Sequence, residues 1–391
     1  MSLRKNIKLL TYFNFFQNIS FYAPIAIIYF EHVTNSYTLA ASIFSIVLVS
    51  GALFEIPTGI YSDLIGRKGS MVLGTLSMVV AVIFYALAFN YWALVIGAIL
   101  EGLSRAFYSG NNDAFLHNIL SQENLQNEFH HYSGRLESIY ILGSSGAALL
   151  SGFIASWSFS FLMWFSVIPQ VICLVITLKL VDVPITKDES RNVFKHFKEA
   201  FNEVKENYNL RMLSISGILL GATAPTAYQF QAAVYQTFWP LWAVGVARAI
   251  SDWVLVPTTY FSGKIVDKVG EYKTMIWSNF LCWAGNMVAV LKPSLFSPLI
   301  ISITSTFWGP GDIATRALFQ KELTERQRAT IASINAFVSS LLFAAFALFI
   351  GKIADSYGPL IALLVVQLFI FPTIILQWRM YQRNKKVNRR T

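Results

Sequence analysis

Six ionisable residues stand as three pairs inside apolar runs of this chain: Glu101 with Arg105, Arg248 with Asp252, and Asp312 with Arg316. The members of each pair are four residues apart, a spacing that stacks opposite charges on one face of a helix. An ionised side chain in an apolar medium costs several kcal/mol unless it is paired or meets water. Local neutralisation is one reading of the pairs. The other is a wet cavity wall, since a paired charge in such a medium still needs water or further partners. Glu55 and Asp113 have no opposite charge three or four residues away, so their partners must come from other segments, with Arg67 and Arg135 the nearest candidates. A carboxylate set beside a movable cation changes its proton occupancy when the cation moves, which is the chemistry of proton coupling. A fixed ion pair is the competing role, and it suits Asp113 better than Glu55. The resulting order of coupling candidates is Asp113, Glu55, Glu101.

Neutral polar residues suggest a second kind of chemistry, the lining of a binding cavity. Asn14, Gln17, Asn18 and Tyr22 are spaced as one polar stripe on a Phe-rich helix, and Tyr228, Gln231 and Tyr235 form a matching stripe half a chain later. Such groups can serve helix packing through hydrogen bonds, or a shared lumen. Pro24, Pro225 and Gly309-Pro310-Gly311 are predicted to interrupt their helices, and broken spanning helices are tolerated mainly where they line or gate a cavity. Arg105 and Asp312 join the cavity candidates, with a helix cap as the local alternative for Asp312. The five histidines show no ligand spacing and no phosphate-cradling glycine loop is present, so neither an enzyme, a metal site nor a cofactor is expected.

The elements that must position these residues follow from composition. Of 391 residues, 55% are hydrophobic and 13% charged, and apolar runs of about 20 residues succeed one another, each long enough to cross a bilayer. This excludes a soluble globular domain and predicts an all-α integral membrane protein. The runs fall at 7–30, 38–62, 70–89, 92–118, 134–156 and 159–181, then at 210–234, 241–265, 273–292, 296–320, 329–354 and 358–380. The expected organisation is a six-helix bundle over 1–181, a linker over 182–208 and a second six-helix bundle over 209–391. No cleavable signal is expected at the first run. Cys173 and Cys282 lie inside apolar runs, where a structural disulfide is not expected.

The formal net charge of +9 would raise the question of nucleic acid in a soluble protein. Here the Lys and Arg residues fall in alternate connections, including Arg4, Lys5, Lys8, Arg67, Lys68, Lys264, Lys268 and the 379–390 cluster. That asymmetry predicts a multi-pass protein of the cell membrane with both termini cytoplasmic, and no nucleic acid partner. In the linker, Phe194, Phe197, Phe201, Val204 and Tyr208 repeat at steps of three and four with lysines beside them. This predicts an amphipathic helix in the headgroup layer, with a solvated charged linker as the alternative.

One motif recurs where apolar runs end. Gly59-x-x-x-Asp63-x-x-Gly66 returns at Gly263, Asp267 and Gly270, and again at Gly351, Asp355 and Gly358. A random chain of this composition would contain the triplet about 0.03 times, so the chain reads as a duplicated unit. With Arg67 and Lys68 after it and Glu55-Ile-Pro57-Thr58 before it, the first copy resembles the signature loop of the major facilitator superfamily, most nearly its bacterial drug-efflux-like permeases. Ser109-Gly110-x-x-x-Ala114-x-x-x-Asn118-x-Leu120 and Arg328-Ala329-Thr330 are similar to further patterns of those permeases. Leu64 and Asn118 depart from the family, which commonly has a basic and an acidic residue there.

The resemblance implies twelve helices in two pseudo-symmetric bundles, a central cavity lined mainly by helices one, four, seven and ten, and alternating access. It also implies a gate in which Gly59 permits close helix approach, Asp63 faces the N-terminal end of helix eleven and Arg67 pairs across the gate. The expected function is proton-coupled export of amphipathic or aromatic small molecules by a monomer in the lipid bilayer, in keeping with the 15% aromatic content. A nutrient symporter or uniporter is one alternative. A non-transporting membrane sensor or scaffold is another, although it has no need of two polar stripes or a repeated gate.

Overall fold

The computed structural model describes residues 3–109, 111–122, 129–182, 203–323 and 325–387, and every regular element among them is helical. In order these are α1 (Leu3–Gln17), a 3-10 turn (Ala23–Ile25), α2 (Ala26–Thr34), α3 (Tyr37–Leu87), α4 (Tyr91–Tyr108), α5 (Asn111–Gln122), α6 (Phe129–Trp157) and α7 (Phe159–Leu178). Then follow α8 (Tyr208–Phe238), α9 (Leu241–Tyr260), α10 (Ser262–Val269), α11 (Glu271–Leu291), α12 (Ser297–Thr304), a 3-10 turn (Ser305–Phe307), α13 (Trp308–Glu322) and α14 (Glu325–Val387). Six described segments are long and apolar enough to cross a membrane: Tyr37–Glu55, Leu64–Leu87, Phe159–Leu178, Tyr208–Phe238, Glu271–Leu291 and Thr330–Lys386. The amphipathic segment expected around Phe194, Phe197 and Phe201 lies outside the described residues, as do the side chains of Asp63, Asp113 and Arg135.

The recurring glycine motif has one structural meaning. Its last glycine adopts the same backbone conformation in all three copies, with φ 83° and ψ 163° at Gly66, 87° and 146° at Gly270, and 83° and 164° at Gly358. Only glycine enters that region without strain. The residue reverses one helix into the next, so α3 and α14 are each two helices joined at Gly66 and Gly358. A Cβ at Gly270 would meet nothing within 4 Å, as would one at Gly59 or Gly263. Gly270→Ala is therefore expected to cost about 1–3 kcal/mol through conformation alone, while Gly59→Ala and Gly263→Ala stay near wild type. Thermal unfolding in detergent followed by tryptophan fluorescence checks this. Equal melting points for Gly270→Ala and Gly263→Ala would count against it.

The chain forms two compact units, Met1–Glu189 with Leu241–Ala249, and Ser190–Pro240 with Ile250–Thr391. The start of α9 groups with the first unit because glycines meet there: a Cβ on Gly245 would run into the backbone of α6 at Ala148 and Gly152. Phe153 also stacks on Trp242, with ring centres 5.5 Å apart.

Each unit repeats the same internal clasps. In the first, the buried Asn6 side chain both donates to the Val181 carbonyl and accepts from the Val181 N–H, each at 2.9 Å, tying the start of α1 to the chain beyond α7. In the second, Asn209 and Asn384 exchange amide hydrogen bonds at 3.3 and 3.1 Å, tying the start of α8 to the end of α14. Both clasps span 175 residues. Each unit also has a second polar contact between its helices, not in the same register: Thr75 and Thr177 share a hydrogen bond of 3.0 Å in the first, and Asn279 donates to Gln377 at 3.0 Å in the second. Apolar residues pack beside both sets: Leu10, Phe13, Met71, Phe115 and Ile119 in one unit, and Leu213, Met275, Leu318, Ile374 and Met380 in the other.

Of the three expected helix breaks, one is absent and one is displaced. Pro225 lies within α8, which runs unbroken from Tyr208 to Phe238. The break near Gly309-Pro310-Gly311 falls earlier, in the 3-10 turn Ser305–Phe307, and those three residues form the first turn of α13. Proline is tolerated there because first-turn N–H groups have no intrahelical partner. The N-cap of α13 is Phe307 with no side-chain cap, so Asp312 caps nothing. The glycines serve packing instead: a Cβ on Gly309 would strike Thr259 of α9, and one on Gly311 would sit 2.9 Å from Ser278 of α11. Only the break at Pro24 is as expected, in the 3-10 turn between α1 and α2.

Candidate functional site

Helix α4 starts where the Asn90 side chain accepts a hydrogen bond from the Ala93 N–H at 3.0 Å, capping its first turn. Three turns on, it carries Glu101, which is only 6% exposed although it is a carboxylate inside an apolar helix. Oε1 of Glu101 accepts from Arg105, from Nη2 at 2.7 Å and Nε at 3.1 Å. Oε2 accepts from the hydroxyls of Tyr85 at 2.9 Å and Tyr22 at 3.2 Å. Four donors meet the roughly four acceptor positions of a carboxylate, so the buried anion is fully satisfied. Arg105 keeps 59% of its side-chain surface exposed, so the pair is buried at its negative end and open at its positive end.

Three segments converge to build this shell. Tyr22 comes from the break after α1, Tyr85 from the second half of α3, and Glu101 and Arg105 from α4. Glycines on α4 make room for them. The Tyr85 ring occupies the space that a side chain on Gly97 would fill, with its nearest atoms 2.6 and 2.7 Å from a Cβ built there. Gly102 lies directly against α3, where a Cβ would come 2.7 Å from the Val47 carbonyl and 2.8 Å from the Gly51 nitrogen. The Tyr29 hydroxyl donates to the Tyr85 carbonyl at 2.6 Å. The Tyr22 and Tyr85 rings meet edge to face with centres 5.5 Å apart, a favoured aromatic geometry.

The structure thus unites Tyr22, Glu101 and Arg105, which the sequence singles out separately, and adds Tyr85. Tyr85 is one of many aromatics in apolar runs, and only Gly97, one turn before Glu101, hints that a ring is received there. The first polar stripe does not hold together. Helix α1 ends at Gln17, Asn14 and Asn18 donate to carbonyls of their own helix at 2.9 and 2.7 Å, and Tyr22 turns out of register toward Glu101. The second stripe also divides. Tyr228 is 47% exposed, Gln231 donates to Asn286 of α11 at 3.2 Å, and Tyr235 is fully buried.

Among the other candidates, Asp312 and Arg316 pair at 2.8 Å on α13, with Arg316 73% exposed. Glu55 is exposed and accepts from the Ser109 hydroxyl at 3.2 Å. Arg67 and Lys68 are half-buried just after the kink, and Asp267 is exposed on α10. Beside the kink, a Cβ on Gly66 would sit 3.4 Å from the Asp182 carboxylate. The residue after the second kink, Glu271, pairs with Lys321 at 2.6 Å, joining α11 to α13.

Regular elements that are all helical among the described residues, with repeated glycine kinks and bilayer-length apolar segments, define a helical integral membrane protein. The model of the Major Facilitator Superfamily matches residues 9–347, and the chain belongs to that family. It is 22% identical over 368 residues to an uncharacterized MFS-type transporter of Methanocaldococcus jannaschii, covering 91% of this chain and 93% of that protein. It is 31% identical over 157 residues to an uncharacterized transporter of Buchnera aphidicola, covering 38% and 36%. In fold it is similar to a mutant of the nucleoside transporter NupG, with a TM-score of 0.83 at 12% identity over 97% of this chain and 100% of that one. It is also similar to a bacterial homolog of the human lysosomal transporter Spinster, in an inward-facing and unoccupied conformation, with a TM-score of 0.77 at 13% identity over 97% of each chain.

Proposed function

We propose that this protein is a proton-coupled secondary transporter that works by alternating access and exports amphipathic or aromatic small molecules. In this reading it is a monomer with twelve spanning helices, in the cell membrane, with both termini cytoplasmic. The observation that carries the coupling is the Glu101 carboxylate, buried yet ligated by Arg105, Tyr22 and Tyr85. A proton placed on Glu101 removes the anion that holds Arg105 and forces one of the four donors to give up its acceptor. The shell must then rearrange, and Tyr22 lies in the break between α1 and α2, outside either α-helix. Loading and unloading a proton would in this way bias two arrangements of the same helices. The buried, fully ligated carboxylate of Glu101, set against the exposed one of Glu55, supports Glu101 as the coupling residue of the two.

In the same reading Gly59, Asp63, Gly66, Arg67 and Lys68, with their counterparts Gly263, Asp267 and Gly270, set the balance between access states. Asn14, Gln17, Asn18, Arg105, Tyr228, Gln231 and Asp312 are the substrate-facing candidates, the fully buried Tyr235 being set aside. The fold likeness to a nucleoside transporter supports a second reading, proton-linked uptake of a polar metabolite such as a nucleoside. Purified protein in liposomes with an imposed pH gradient tests both. A panel of aromatic cations and nucleosides is offered, and flux is measured with the gradient in each direction. Movement of an aromatic cation against the proton flow supports export, and nucleoside movement with the protons supports uptake. Transport that is indifferent to the gradient rules out both.

A further inference from the structure

A basic cluster lies where α8 begins and α14 ends. The Tyr208 ring carries two guanidinium groups, Arg383 at 3.8 Å and Arg211 at 5.8 Å from its centre. The two cations therefore stand within about 10 Å of each other, near the screening length of physiological salt, and they repel. Neither forms an ion pair among the described residues. Arg211 donates one N–H to the Lys205 carbonyl at 2.7 Å, which folds the basic residue Lys205 toward the same corner. The nearby carboxylate of Glu322 accepts instead from Asn207 at 2.8 Å and Asn209 at 3.0 Å. Lys385 and Lys386 follow on the last turn of α14 and are exposed.

The repeat shows that a cation at the Arg383 position is not needed for the clasp, although Lys8 stands where Arg211 stands. The Asn209–Asn384 clasp at this corner has its counterpart in Asn6–Val181 of the first unit. In the register those clasps set, 203 residues apart, Leu180 stands where Arg383 stands, and Asp182 where Lys385 stands. The same clasp closes in the first unit with an apolar residue and a carboxylate. What sets the second unit apart is that two guanidinium groups share one tyrosine ring there, Arg383 having no cationic counterpart in the first unit.

The position of the cluster indicates what it meets. The apolar run of α8 begins at 210 and that of α14 ends at 380, so the cluster follows directly on the ends of two apolar runs, where headgroup level is expected. Trp378, 47% exposed, and the half-buried Tyr381 precede it on α14 with their rings 5.8 Å apart, the kind of aromatic pair that sits at headgroup level. We propose that Arg211 and Arg383, braced on Tyr208 and assisted by Lys205 and Lys385, form a binding site for the phosphate of an anionic lipid headgroup. A phosphate oxygen placed between the two guanidinium groups would relieve their repulsion and supply the missing charge-assisted hydrogen bonds.

The test uses the full chain in detergent, titrated with phosphatidylglycerol, with phosphatidylcholine, and with inorganic phosphate, and reads the melting temperature and the lipid retained by native mass spectrometry. Wild type is expected to bind phosphatidylglycerol in preference to phosphatidylcholine. Arg211→Gln combined with Arg383→Leu is expected to lower that preference roughly thirtyfold, from the loss of two surface cations. Arg383→Leu alone copies the residue of the first unit and keeps Asn384 in place, so it provides a folded variant if the double substitution fails; its expected loss is about fivefold. Lys8→Gln, at the corresponding corner of the first unit, should leave the preference unchanged. An unaltered preference in the folded Arg383→Leu protein overturns the proposal. So does equal stabilisation by inorganic phosphate at matched concentration, which would assign the site to a free anion.

Discussion

Glu101→Gln is expected to abolish gradient-driven accumulation while sparing downhill exchange of the same substrate. The substitution keeps the size of the side chain and removes its ability to alternate between charge states. If proton binding at Glu101 drives the rearrangement, only the proton-linked half of the cycle is lost. Counterflow and uphill uptake in the same liposomes separate the two outcomes. Equal loss of both would mark Glu101 as a structural or substrate-binding residue, and retention of both would remove it from coupling.

Stability offers a second readout that the coupling role does not predict by itself. Glu101→Ala leaves two buried tyrosine hydroxyls without an acceptor, each costing about 1–3 kcal/mol. The loss of the ion pair with Arg105 adds to this by removing the guanidinium's carboxylate partner. Glu101→Gln retains an acceptor for the phenols and is expected to cost about 1–2 kcal/mol. Tyr85→Phe should cost about 1 kcal/mol and, by weakening the hold on Oε2, should alter the pH dependence of transport more than that of folding.

Gly102→Val is expected to destabilise the fold by about 3 kcal/mol or more. The atoms a side chain would meet there are the Ser50 hydroxyl, the Val47 carbonyl and the Gly51 nitrogen. Two of the three are backbone, which cannot rotate away, so α3 and α4 would have to separate. Glu101 is the neighbouring residue and would move with α4, so transport should fall together with the melting temperature. Gly102→Ala with Ser50→Ala makes the argument specific. Removing the hydroxyl relieves one of three contacts, so the double variant should recover part, but not all, of the stability lost in Gly102→Ala. Full recovery would show that the backbone approach is not limiting.

The sequence by itself determined the class of this protein, because bilayer-length apolar runs and alternating basic connections leave few other structures open. It also determined the duplication. A kink at φ near +85° requires glycine, and that requirement is written into the chain three times, at Gly66, Gly270 and Gly358. The i,i+4 partnerships of Glu101 with Arg105 and of Asp312 with Arg316 were legible as well, since helical periodicity is local. What only the tertiary structure decided was which charges are buried and what else touches them. Tyr22 and Tyr85 reach Glu101 from residues 79 and 16 positions away, and no spacing rule links contacts made across separate helices. The expected breaks at Pro225 and Gly309-Pro310-Gly311 gave way for a related reason. Proline and glycine are ambiguous in sequence, and here a continuous α8 accommodates the one while close approach of α13 to Thr259 and Ser278 selects the others.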